Sequence, residues 1–201
     1  ARTPAASVLT VAPVQSFGFL TNTPAPLTVE GNTNLTASPG KTFSLLGGDL
    51  KINQSVVTAS GGRVNLASVA SPGEVTPLPE DLTLSATQQP GNINIQESIV
   101  TVSGGGSNAG IYIRGGQFTL TNASVQANTK TEQNAGQINV QVNTLTAPGG
   151  RFISNVLGTG TGQGGKIILK VQGVTEFTGE NKTGAASGII SVTDKDAKGK
   201  A

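Results

Sequence analysis

The chain has 201 residues, a formal net charge of +2 and no Cys or His. Disulfides, thiolate metal sites and the Ser-His-Asp and Cys-His classes of catalytic site are therefore excluded. Charged residues make up only 12% and hydrophobic residues 35%, and Thr, Val, Ile, Asn and Gly are prominent. This composition favours an ordered all-β protein over a disordered or a helical one.

The first 26 residues form a Pro-rich N-terminal segment (1–26) that contains four of the ten prolines. Within it, only residues 8–11 and 17–20 resemble strands. Because Pro lacks the backbone donor that a sheet needs, we expect this segment to lie outside any stacked strands.

From residue 41 onward a loose repeat places a Gly before a short strand of alternating polar and apolar residues. The sequence contains no Asn-Gly or Asp-Gly dipeptide, which argues against a sandwich of tight hairpins, and no helical period, which argues against βαβ units. The spacing of 14 to 29 residues predicts a parallel β-helix, a solenoid of about eight or nine coils, in which residues 1–201 form one domain. The main copies lie at 48–52, 62–66, 91–95, 110–114, 136–140, 165–169 and 188–192, and secondary copies at 42–45, 117–120 and 143–145.

Two further segments depart from this repeat. Residues 71–90 contain four prolines and the acidic pair Glu80-Asp81. They are predicted to form a surface excursion, with 82–84 rejoining the stacked strands. Residues 194–201 are predicted to be a polar basic tail.

Several strings resemble cyanobacterial members of the filamentous haemagglutinin-like family, which are secreted by the two-partner route. They are FGFLTNTPA at 17–25, GKTFSLLGGDL at 40–50, TASGGRVNLASVASPGEV at 58–75, and SNAGI at 107–111 followed by RGG at 114–116. The resemblance covers about residues 17–145, and the remainder more weakly. It implies a right-handed β-helix, a role in adhesion or surface coating, and a location outside the cell or on the surface of a Gram-negative bacterium. The family's secretion module, with its Asn-Pro-Asn-Gly-type motif, is absent here, so an outer-membrane pore partner is expected only of a longer precursor.

Parallel β-helices also include polysaccharide-active enzymes, whose sites need clustered carboxylates. The chain has only 11 Asp and Glu. One-coil spacing offers Glu97 as a partner for Glu80-Asp81, and Glu176 as a partner for Asp194 and Asp196. Neither set forms a cluster on a regular strand, so we expect no enzymatic activity.

Two short strings resemble fragments of ligand-binding motifs. Gly47-Gly48-Asp49 matches part of a calcium-binding nonapeptide only once, and Gly40-Lys41-Thr42 lacks the upstream Gly of a phosphate loop. Both are interpreted as turns, and no cofactor or metal is predicted. The Asn residues at strand positions 53, 65, 92, 94 and 139 either face solvent or form stacked amide ladders.

Tyr112 is the only Tyr, and alternation between Ile111 and Ile113 turns it outward. With Arg114 it is a candidate surface contact for a glycan, and a plain surface residue is the alternative.

Three functions remain open: a structural or adhesive element of a secreted fibre, a carbohydrate-binding module, and a degenerate polysaccharide-active enzyme. Open coil ends predict a homo-oligomer or filament formed by stacking. A glycan or cell-surface receptor is a further candidate partner. Nucleic acid is not expected, because no aromatic residues are interleaved with the basic ones. No apolar run reaches the roughly 18 residues of a membrane span.

Overall fold

The computed structural model describes residues 14–106 and 108–201, and in these residues it contains strands but no helix. The strands are β1 (Phe17–Phe19), β2 (Leu27–Val29), β3 (Asn34–Thr36), β4 (Thr42–Gly47), β5 (Leu50–Asn53), β6 (Val56–Thr58), β7 (Arg63–Ser68), β8 (Gly73–Leu78), β9 (Asp81–Leu84), β10 (Ile93–Gln96), β11 (Ile99–Thr101), β12 (Gly110–Thr121), β13 (Ser124–Gln126), β14 (Gln137–Pro148), β15 (Arg151–Ile153), β16 (Ile167–Val171), β17 (Thr175–Thr178) and β18 (Gly188–Ile190). The predicted all-β class is confirmed. All the Gly-led copies coincide with strands, but β12 and β14 are 12 residues long because each joins a main copy to a secondary one.

Fifteen of these strands form two parallel sheets that the chain visits alternately. The nine-stranded sheet contains β2, β4, β5, β7, β10, β12, β14, β16 and β17, and the six-stranded sheet contains β3, β6, β11, β13, β15 and β18. A layer is defined here as one strand of the six-stranded sheet together with the strands of the larger sheet that precede it. The described residues form six layers, fewer than the eight or nine coils predicted. The reason is that each layer uses more residues than the expected 20 before the chain returns to the equivalent position. Asn34, for example, pairs with Val56, and Ser124 pairs with Arg151.

Glycine is required where several strands begin, because the backbones of adjacent layers approach closely there. A Cβ at Gly165 would lie 1.9 Å from the Gly136 carbonyl oxygen, and one at Gly62 would lie 2.2 Å from that of Lys41. No side chain fits at those distances, which explains why the sequence repeat is led by Gly.

The bend between the two sheets is made by a column of residues with positive φ. Gln54, Glu97 and Asn122 have φ of 48°, 48° and 47°, and Gly149 follows at 64°. The N–H of each of these four residues donates to a carbonyl of the next layer at 2.8–3.0 Å. The bend is therefore hydrogen-bonded from layer to layer in the same way as the strands.

The main core lies between the two sheets and is built from stacked inward-facing side chains. Leu50, Ile93, Phe118 and Leu145 form one such column in successive layers. Phe152 packs edge-on against Phe118 in the layer before and Phe177 in the layer after, each with ring centroids 6.2 Å apart. Since each layer contacts only its neighbours, burial continues along the stack.

The segment 71–90 leaves the parallel sheets, as predicted, and its strands β8 and β9 form an antiparallel hairpin. The expectation that 82–84 rejoins the stack is wrong, because Leu82 to Leu84 pair with Val75 to Pro77 of β8. Strand β1 pairs with the other edge of β8, so part of the N-terminal segment completes a three-stranded antiparallel sheet. Residues 8–11, which were expected to resemble a strand, lie outside the described residues.

The C-terminal segment 194–201 is hydrogen-bonded to the loop that follows layer five. The N–H groups of Lys198 and Gly199 donate to the Gly160 carbonyl at 2.9 and 3.1 Å, and the Lys200 carbonyl accepts from Gly164. The predicted tail is thus polar and basic in sequence, but attached along its backbone.

Candidate functional site beneath the hairpin

The hairpin β8–β9 packs on the outward face of the nine-stranded sheet and encloses a second apolar cluster there. The buried members of this cluster are Ala67, Val69, Val75, Leu82 and Tyr112, and Phe17, Phe19, Leu46 and Leu84 pack around them. Residues that alternation turns outward are therefore covered when the hairpin closes over them.

Arg114 is a buried polar link between the sheet and the hairpin. Its Nε donates to the Leu82 carbonyl of β9, and one terminal nitrogen donates to the carbonyls of Ile113 and Asn139 at 2.7 and 2.9 Å. The other terminal nitrogen binds the Asp81 carboxylate and the Asn139 side chain. All three guanidinium nitrogens have partners, which is what a buried charge requires.

Arg63 forms a second link at the tip of the hairpin. It donates to the carbonyls of Leu78, Pro79 and Asp81, and its Nε donates to Asn65 Oδ1 at 2.6 Å. Its guanidinium lies 3.9 Å from the centroid of the Tyr112 ring, a cation–π contact. Burial lowers the pKa of Arg63 from its ordinary value, although the group remains protonated near neutral pH.

Arg63, Tyr112, Arg114 and Asp81 are called the arginine clasp below. It contains two guanidinium groups but only one carboxylate, which cannot accept hydrogen bonds from all of their donors. Backbone carbonyls therefore accept most of the hydrogen bonds that the two arginines donate. Burial alone would raise the pKa of Asp81, but hydrogen bonds from Arg114 and from the Leu82 N–H outweigh that effect and lower it. The clasp links the hairpin to the sheet through the carbonyls of Leu78, Pro79, Asp81 and Leu82 and the Asp81 carboxylate.

The expectation that Tyr112 and Arg114 form a surface contact for a glycan is wrong in one respect. Alternation does turn both side chains away from the main core, but each residue is only 3% exposed because the hairpin covers it. The Tyr112 hydroxyl accepts a hydrogen bond from Gln137 at 2.6 Å. The two residues therefore join the hairpin to the sheet, and the expected exposure of their side chains is what the structure contradicts.

Open grooves flank the hairpin on two sides. One, of about 440 Å³, runs between β9 with its following turn and the outward face of layers five and six. It is called the amide groove here, and the residues that define it are Thr83, Leu84, Ser85, Gln89, Arg114, Gln141, Asn143 and Gln172. The other, of about 380 Å³, lies beyond the hairpin tip and is lined by residues that include Glu80, Asn134, Gln137 and Lys166.

Three of the carboxylates that the sequence suggested for acid–base chemistry, those of Asp81, Glu97 and Asp194, have separate partners. Asp81 binds Arg114, and Glu97 binds Lys182 at 2.7 Å, which lowers the pKa of Glu97. The Asp194 carboxylate accepts from the Gly158 N–H at 2.8 Å. Within residues 14–106 and 108–201, no three His, Cys, Asp or Glu residues gather into a group that could hold a metal ion.

The Asn side chains at strand positions face solvent only in part, and in the register Asn65 and Asn139 each lie beside Tyr112, with no amide ladder between them. Asn65 and Asn139 are buried and bind Ser44, Arg63 and Arg114. Asn94 is exposed. Neighbouring layers are also joined by amide oxygens in the loops: Asn128 accepts from the N–H of Asn155 at 2.9 Å.

Comparison with protein-family models, curated proteins and solved structures finds no match to this chain. In the described part of the chain, no helix has the length and apolar character needed to cross a membrane.

Proposed function

We propose that the chain is a structural or adhesive segment of a secreted bacterial surface protein, built as a right-handed parallel β-helix. The continuous register of both parallel sheets supports this architecture, and parallel crossovers are right-handed in nearly all proteins. The resemblance to filamentous haemagglutinin-like proteins supports a place outside the cell or on the surface of a Gram-negative bacterium. A longer precursor would then use an outer-membrane pore partner.

The observation that carries the proposal is that the core columns continue to an edge that no strand of the described residues covers. Leu35, Val57, Val100, Val125, Phe152 and Ile189 occupy equivalent positions in the six-stranded sheet. Phe152 is fully buried, whereas Ile189, in the last layer, is 55% exposed. An edge strand with unpaired backbone groups and exposed core side chains is a template for a further strand. A second copy, or an adjoining segment of a longer parent protein, would bury this edge and extend the stack into a filament.

Sedimentation velocity over a wide range of concentration tests this stacking. We expect wild-type protein to form larger species as concentration rises, and Ile189→Lys to remain small because the Lys would be buried at the junction. The matched control is Ile99→Lys, an exposed Ile (38%) on β11 in the third layer, away from either edge. If Ile189→Lys assembles as wild type does, or if wild type stays monomeric at every concentration, stacking is refuted.

Carbohydrate binding is a second candidate, and the amide groove favours it because it offers uncommitted polar side chains on a rigid surface. A glycan or cell-surface receptor would then be the partner of the adhesive segment. Polysaccharide cleavage is the remaining alternative, and turnover of pectin-type substrates by the purified chain would favour it over both.

A further inference from the structure

We infer that the amide groove is a binding site for an uncharged oligosaccharide. This inference deepens the adhesive part of the proposed function by assigning a site and a ligand class. Its test does not use Ile189 of the six-stranded sheet, although Gln172 of the groove lies in the same last layer.

The groove presents side-chain amides that are not used within the protein. Gln89, Gln141, Asn143 and Gln172 are exposed, and their side chains form no hydrogen bond with any residue that the structure describes. A side-chain amide both donates and accepts, as a sugar hydroxyl does, so each can make a complementary pair with a hydroxyl.

The spacing of these amides is fixed by the sheet. Gln141 and Asn143 are two residues apart on β14 and so point to the same face, about 7 Å apart. Gln172 lies beside Asn143 in the next layer, because the N–H of Gln172 donates to the Val142 carbonyl at 3.2 Å and that of Gly173 donates to the Asn143 carbonyl at 2.8 Å. Adjacent layers are about 4.8 Å apart. The sheet thus fixes the backbone positions of the three amides, and a ligand has to order only their side chains.

The hairpin supplies the opposite wall of the groove. The hydroxyls of Thr83 and Ser85 are hydrogen-bonded to Thr76 and Glu74 within the hairpin, so this wall contributes mainly shape. The half-buried Leu84 provides an apolar surface for the C–H groups of a sugar ring. Neither the sheet alone nor the hairpin alone makes this groove, so the clasp that holds the hairpin also forms the site.

The electrostatics of the groove favour an uncharged ligand. Arg114 is the only ionisable residue among those that line it, and its nitrogens are bound to carbonyls, Asn139 and Asp81. Among the lining residues, an acidic sugar would find no free cation and a basic one would find no free carboxylate. The exposed Lys170, which pairs with Gln141 in the next layer, lies outside this lining. Specificity would therefore come from hydroxyl positions.

The test is titration of the purified chain with uncharged cello-, xylo-, malto- and chito-oligosaccharides, with polygalacturonate and sulfated fragments as acidic comparators. Binding is measured by calorimetry and located by NMR chemical-shift changes. We expect at least one uncharged series to shift the amide signals of Gln141, Asn143 and Gln172. The double substitution Gln141→Ala with Asn143→Ala should weaken binding about tenfold or more, because two hydrogen-bonding groups are lost.

The matched control is Gln117→Ala, which removes another exposed amide from β12 of the same sheet, outside the groove. It should leave the affinity within about twofold of wild type. Three results would overturn the inference: no uncharged oligosaccharide binds, only acidic fragments bind, or Gln117→Ala weakens binding as much as the double substitution. Each of these leaves the stacking experiment with Ile189→Lys unaffected, so the two proposals can fail separately.

Discussion

Replacement of Arg114 by Met tests whether the arginine clasp holds the hairpin on the sheet. The substitution keeps an unbranched side chain in the same space but removes every donor. The carbonyls of Leu82, Ile113 and Asn139 then lose a partner, and the Asp81 carboxylate loses its ion pair. Unsatisfied buried groups cost about 1–3 kcal/mol each, and breaking a buried ion pair about 3–5 kcal/mol. Because Asp81 is 44% exposed, water compensates part of the loss, and we expect about 3 kcal/mol.

Spectroscopy can follow the unfolding of the clasp and of the strands separately. Tyr112 is the only Tyr and there is no Trp, so tyrosine emission and near-ultraviolet circular dichroism report on the clasp, while far-ultraviolet circular dichroism reports on the strands. In Arg114→Met we expect the Tyr112 signal to be lost at lower denaturant concentration than the strand signal. Adding Asp81→Asn to the variant should recover part of the loss, since the unpaired carboxylate is then gone. The control Lys51→Ala breaks an exposed pair with Glu30 at 3.9 Å and should cost less than about 1 kcal/mol. If Arg114→Met and Lys51→Ala cost the same, the clasp does not hold the hairpin.

Three further predictions concern acid, the layer contacts and the bend. The pKa of Asp81 is lowered in the folded state, so its contribution is complete above its unfolded pKa of about 3.9 and is lost as pH falls through the folded pKa. The Tyr112 signal should therefore change at a pH below about 4, and the same change in Asp81→Asn, which has no carboxylate to titrate, would contradict the ion pair. Gly165→Ala forces a Cβ against the Gly136 carbonyl and should lower the free energy of unfolding, measured by chemical denaturation, by about 3 kcal/mol. The control Gly18→Ala should change it little, because nothing lies within 4 Å of the added Cβ. Equal effects would show that the layers do not approach as closely as described. Gln54→Gly removes the strain of a left-handed conformation at φ 48° but makes the unfolded chain more flexible. Because these two effects oppose each other, the thermal midpoint of the variant should rise slightly or stay unchanged. A marked fall would argue against the column of positive φ.

Most of the larger parallel sheet could be predicted from the sequence, because most of its strands follow a Gly and alternate over four or more residues. The exceptions are β2, which has three residues and follows Pro26, and β17, which the repeat does not include. Most of the smaller sheet could not. Strands such as Val56–Thr58 and Ile99–Thr101 have three residues each, which is too short for alternation to be recognised. The bends before them use Gln54 and Glu97, residue types that do not signal a turn.

The site beneath the hairpin was predicted only in part, for a different reason. Alternation correctly turned Tyr112 and Arg114 away from the main core. The hairpin covers these two side chains, and its place depends on pairing between segments that are far apart in the sequence. Phe17 of β1, for example, lies opposite Val75 of β8. Local pattern carries no information about such pairing, so an outward residue was interpreted as an exposed one.

The central claim is that the layers continue from one molecule to the next along a single axis. X-ray fibre diffraction from an oriented, concentrated sample tests it most directly. Six layers at about 4.8 Å predict a meridional reflection near 4.8 Å and an axial repeat of about 29 Å per molecule. Discrete particles of constant length at all concentrations, or strands that run parallel to the long axis, would contradict the claim.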